Sequence, residues 1–174
     1  IYMSYDGLDA LVDGLFDLKQ APAPQLTPAI DMVHCEETPA RVLLDLVDQI
    51  PFAPTDVFYD LGSGLGQVVM LVHLLTGVRA KGVEIEPAFT AFAQQQTQAL
   101  GLSDVTFVNA DARMADYGDG TIFFMFTPFR GQLLQAVLDR LQQEAQRRTI
   151  RLCTFGSCSP RVAVQPWLRP LTAD

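Results

Sequence analysis

Apolar and polar positions follow two rhythms along this chain, and the two alternate from about residue 39 onward. Short, almost unbroken apolar runs occur at Asp56–Leu61, Ala80–Ile85, Val105–Asn109, Thr121–Phe126 and Thr149–Phe155. Parallel strands covered on both faces read this way. Between the runs lie stretches of helical character: Leu65–Thr76, Pro87–Leu100 and Gly131–Arg148. In the last, Leu133, Leu134, Val137, Leu138 and Leu141 recur at three- and four-residue spacing, the stripe of an amphipathic helix. Strand and helix in repetition predict an α/β fold with a doubly wound, mostly parallel sheet. One connection, Asp111–Gly120, is short for a full crossover helix.

Residues 1–50 form a helical preface to a sheet-bearing part, residues 51–174. Leu8–Leu18 carries an apolar stripe of Leu8, Leu11, Val12, Leu15 and Phe16, after which the prolines of Ala21–Pro24 break the chain as a stiff linker. A second helix is expected to take Thr38 as its N-cap and Pro39 as its first helical residue, and to run through Arg41–Ile50. The preface is expected to lid the cleft that the sheet forms. Ser159–Asp174 is too short for the closing hairpin of a seven-stranded sheet, so a shortened sheet or a truncated chain is expected.

Composition narrows the class. With 49% hydrophobic and 18% charged residues in a chain of 174, one well-filled domain is expected and disorder is excluded. No window approaches the ~18 consecutive apolar residues of a membrane span. Twelve Lys and Arg against twenty Asp and Glu give a net charge of −8, which speaks against binding nucleic acid through its phosphates. Cys35, Cys153 and Cys158 are an odd number without a C-x-x-C pair, which reads as reduced thiols in a cytoplasmic protein. There is no H-x-x-x-H pair, and no metal site is expected.

The chemistry concentrates in Asp60-Leu-Gly62-Ser63-Gly64-Leu-Gly66-Gln67, which follows a predicted strand and opens a predicted helix. Glycines let the backbone turn tightly and let a ligand lie against it. A dinucleotide fingerprint, G-x-G-x-x-G, requires glycine at position 67, where this chain has Gln67. Asp60 separates the readings further. A carboxylate at the mouth of the loop repels a pyrophosphate and attracts a cation, and S-adenosylmethionine carries an ammonium and a sulfonium but no phosphate. Glu84, 22 positions after Gly62, stands where an acid accepts ribose hydroxyls in such folds. Asp111, after the third strand, could accept the adenine amine. Each acid also has a plainer reading, since acids commonly stop strands and cap the next helix.

The pattern D-x-G-x-G-x-G after strand one, with acids after strands two and three, resembles the Class I S-adenosylmethionine-dependent methyltransferases over roughly Glu37–Phe155. Asp60–Val69, with Glu37-Thr38 upstream, is similar to the corresponding segments of the Dot-type histone lysine methyltransferases. The resemblance implies strand order 3-2-1-4-5, S-adenosylmethionine as cofactor, Glu37 and Thr38 near its methionine moiety and Gln67 near the loop. It also implies a methyl acceptor, protein or small molecule, approaching the end of strand four. There the chain has Phe126-Thr127-Pro128-Phe129, keeping half of the Asn/Asp-Pro-Pro-Tyr/Phe pattern of amino-group methyltransferases. Thr127, Pro128 and Phe129 are therefore acceptor-pocket candidates, with His34 a candidate base; His73 reads as a packing residue. Two competing readings are a module that binds the cofactor without catalysis and an NAD-dependent oxidoreductase.

Overall fold

The computed structural model describes residues 5–27, 31–32 and 37–171. His34 and Cys35 lie outside the described residues. Five strands form one all-parallel sheet: β1 (Val57–Leu61), β2 (Arg79–Glu84), β3 (Val105–Asn109), β4 (Ile122–Phe126) and β5 (Arg151–Phe155). Their order is β3-β2-β1-β4-β5, as expected. The helices are α1 (Gly7–Leu15), α2 (Ala40–Gln49), α3 (Gln67–Thr76), α4 (Pro87–Ala99), α5 (Gly131–Ala145) and α6 (Ser159–Ala163). Among the described residues none is long and apolar enough to cross a membrane.

Strand alternation sends side chains to two cores. Phe58, Ala80, Phe107 and Phe124 face α3 and α4, in a core that also holds Val12, Phe16 and Leu43 of the preface. Tyr59, Leu61, Val83, Phe123 and Met125 face α5 and α6. The preface is thus built into the same core as the sheet. Its first helix is shorter than the stripe suggested: α1 ends at Leu15, and after Asp17 in a left-handed conformation Leu18–Gln20 forms a separate 3₁₀ turn. The buried row is Val12 and Phe16, whereas Leu11 and Leu15 are exposed.

The start of α2 also differs from expectation. Pro39 is the N-cap, with an extended ψ of 134°, and Ala40 is the first helical residue. Thr38 does not cap the helix. A tertiary contact does so, because the Ala40 amide donates to Asp9 Oδ1 at 2.8 Å. The short β3–β4 connection contains no helix, and an aromatic side chain fills that space. Tyr117, fully buried, donates its hydroxyl to the Ala112 carbonyl at 2.7 Å and packs edge-on against Tyr59 and Phe123.

Candidate functional site

The order of the sheet reverses between β1 and β4, and ligands of such sheets bind in the crevice at that point. A cavity of about 360 Å³ lies there. Its floor is the loop from β1 to α3. The amides of Gly62 and Ser63 donate to the Val83 carbonyl at 2.8 and 3.1 Å, pinning the loop to β2. Gly62 has φ +82°, and a Cβ there would stand 2.5 Å from Pro128 Cβ. The missing side chain is what lets the segment after β4 close down on the loop. Gly66, φ +84°, caps α3 and packs against Phe107 and Ala93. It does not line the cavity, so its expected contact with a ligand is replaced by a role in helix–sheet packing.

Glu84 ties the two loops together. One oxygen accepts the Gly64 amide and the other the Glu86 amide, both at 2.8 Å. Burial raises its pKa, and the two amides oppose that rise. Asp60 is 3% exposed, lines the cavity, and its carboxyl has no hydrogen-bond partner among the described residues. Burial first, then the charge of Glu84, pushes its pKa up to about 8. The sequence suggested a standing negative charge at the loop. The structure instead holds a latent one, which a bound cation would draw out. Ser63 Oγ is buried without a partner among the described residues, against the space that Gly82 leaves open.

Glu37, Thr38 and Gln67 meet at one wall, where Gln67 Nε2 donates to the Thr38 carbonyl at 3.3 Å. The pKa of Glu37 is raised, chiefly by partial burial. Asp111 also lines the cavity, but its carboxylate is forked onto Arg113, which holds its pKa low. Pro128 and Phe129 close the β4 side together with Phe126. Thr127, with φ +47°, turns away: its hydroxyl donates to the Phe155 carbonyl at 3.2 Å and accepts the Ser157 amide at 2.8 Å. Thr127, expected as an acceptor-pocket residue, therefore does not line the cavity and instead ties the end of β4 to that of β5. His73 Nδ1 meets the Val78 carbonyl at 2.7 Å, a packing role.

Sequence reasoning missed Glu86, Met32, Leu26 and Phe89, which also line the cavity. Glu86 caps α4 through the Ala88 amide and holds the Leu26 amide at 2.8 Å, fastening the preface beside the cavity. An acid directly before Pro87 was a signal for the cap, but not for the contact 60 residues away. Met32 forms an antiparallel bridge to Phe129, and nothing local marks it.

Residues 27–109 match the family of the histone methylation protein DOT1. A histone-lysine N-methyltransferase specific for H3 lysine-79 from Dictyostelium discoideum is 26% identical over 133 residues, covering 66% of this chain and 7% of that protein. Its namesake from Caenorhabditis elegans is 37% identical over 59 residues, 33% of this chain and 6% of that one. The chain thus spans under a tenth of the length of either relative. Among solved structures, an RNA methyltransferase from Salinibacter ruber in complex with S-adenosyl-L-homocysteine superposes with a TM-score of 0.53 at 28% identity, covering 64% of this chain and 71% of that one. With its sheet order and the loop at the switch point, the chain has the fold of the Class I S-adenosylmethionine-dependent methyltransferases and resembles the Dot-type members over residues 27–109.

Proposed function

We propose that this domain binds S-adenosylmethionine in the switch-point cavity and transfers its methyl group to an amine of a polypeptide. One observation carries the reading. Five acids, Glu37, Asp60, Glu84, Glu86 and Asp111, line the cavity, and no Lys, Arg or described His does. Such a lining favours a ligand with a positive charge and disfavours a dinucleotide pyrophosphate.

The residues fit the donor in kind. Asp60 supplies the counter-charge and Glu84 keeps lone pairs free for ribose hydroxyls after accepting two amides. Asp111, oriented by Arg113, accepts the adenine amine. Glu37, Thr38 and Gln67 close the methionine end. When bound, S-adenosylmethionine supplies a methyl carbon activated by its sulfonium: the acceptor's lone pair forms the new bond as the carbon–sulfur pair returns to sulfur. The protein's part is to hold the acceptor in line and to exclude water, which Phe126, Pro128 and Phe129 do on the β4 side. The lysine specificity of the H3 lysine-79 methyltransferases that the chain resembles supports a lysine side chain as the acceptor.

Isothermal titration against S-adenosylmethionine, S-adenosylhomocysteine and NAD tests the donor. Binding of the first two without the third is expected, and binding of NAD alone would overturn the reading. The apolar β4 end, with Phe126 in place of a polar head, favours a second reading as a binding module without turnover. That reading predicts donor binding with no labelled product when radioactive donor is incubated with cell lysate.

A further inference from the structure

Beyond Phe129 the surface opens into a second groove, of about 740 Å³, between the start of α5 and the turn after β5. Phe129 lines both spaces, so one ring separates them. Their charges are opposite. The inner cavity carries five acids and no Lys or Arg. The outer groove carries Arg130 and Arg161, with Gln132 and Gln135, and no acid among its described lining residues. In a chain of net charge −8 a groove with two arginines and no acid among the described residues that line it stands out. Arg130 and Arg161 are both exposed, and Arg161 donates to Gln135 Oε1 at 3.1 Å, which sets the guanidinium along the groove. Two carboxylates stand at its edge: Asp31 accepts the Gln132 amide at 3.2 Å at the head of α5, and Asp139 accepts from Gln135 Nε2 at 2.8 Å.

An acceptor must reach the donor's methyl group from the β4 side, and this groove lies on that side. Arginine forks suit carboxylates, through paired hydrogen bonds of fixed geometry. Two arginines are too few to neutralise the run of phosphates that a nucleic acid presents. We propose that the groove docks the acceptor polypeptide through acidic residues that flank its target lysine, with Phe129 as the gate past which the lysine side chain reaches the donor. The proposal rests on the methyltransferase reading above.

The test uses the full chain saturated with S-adenosylmethionine, its donor affinity measured first by titration. Fluorescein-labelled twelve-residue peptides with a central lysine flanked by glutamates, by glutamines or by arginines are followed by anisotropy, beside an RNA of twelve nucleotides. The glutamate peptide is expected to bind at least tenfold tighter than the other two and the RNA, and its affinity to fall as salt rises. Arg130→Gln and Arg161→Gln are each expected to weaken it about fivefold while leaving donor affinity unchanged. Arg130→Glu with Arg161→Glu is expected to shift preference to the arginine peptide. Equal binding of the peptides, preference for the arginine peptide or the RNA, or indifference to both glutamine variants would overturn the groove while leaving donor binding intact. Failure of the donor itself to bind would overturn the underlying reading, and the groove with it.

Discussion

Two buried carboxylates at opposite ends of the molecule show how the same side chain becomes scaffold or site. Glu144, near the end of α5, is fully buried and ringed by Arg140, Arg147 and Arg148, with Arg148 also reaching the Gly120 and Tyr117 carbonyls. Arg148 first, then Arg140, holds its pKa below the usual glutamate range. Asp60, at the open end of the sheet, is almost as buried and has no cation beside it among the described residues, and burial raises its pKa to about 8. The protein completes the first charge itself and leaves the second for a ligand to complete. Buried charges without partners are costly and cluster where function requires them.

Removing the completed charge should do the most damage. Glu144→Ala leaves Arg140 and Arg148 facing a void and should lower unfolding free energy by about 3–5 kcal/mol in urea titrations. Because the pKa of Glu144 is depressed, the stability it confers is present above the usual glutamate range and is lost as pH falls through it. A Glu144→Ala protein as stable as the parent would show that the arginines around Glu144 do not depend on its charge.

Glu84→Gln should come next. It keeps the shape but sets an NH₂ group against one of the Gly64 and Glu86 amides, and donor affinity should fall about ten- to a hundredfold by titration. Asp60→Asn sharpens the comparison most directly. Since the folded-state pKa is raised, ionising Asp60 destabilises the unliganded protein as pH climbs from about 4 toward 8, by at most ~1.4 kcal/mol per pH unit. The asparagine variant should lose that slope and be the more stable at pH 8, yet bind the donor more weakly. In the parent, donor affinity should rise up to about tenfold per unit between pH 6 and 8, because binding a cation expels the proton. A flat profile would show that Asp60 carries no latent charge. Thr127→Val should have the smallest effect, about 1 kcal/mol of stability with donor affinity unchanged, because its hydroxyl serves β5 and not the cavity.

Much of the β1–β3 half was legible in the chain because its determinants are local. The Asp60–Gln67 loop, Glu84 and Asp111 each sit at or just after a strand end, where the chain leaves the sheet at the crevice. The β4 half was legible only in outline. Pro128 and Phe129 line the cavity, whereas Thr127, between them and Phe126, is rotated away by its left-handed backbone. No residue pattern announces such a rotation, which follows from the hydroxyl's two partners at the end of β5. Thr38 failed as a helix cap for a similar reason. Asp9, 31 residues before Ala40, accepts that residue's amide instead.

Sequence alone determined the class of sheet, the loop at its switch point and the acids around it, because strand burial, glycine spacing and strand-end acids are properties of neighbours in the chain. Only the tertiary structure decided that burial raises the pKa of Asp60 to about 8, that Glu86 clasps the preface, and that Phe129 lines both an acidic cavity and a groove with two arginines. Those depend on desolvation and on contacts across scores of residues, where the free energy is set by what the folded chain brings together.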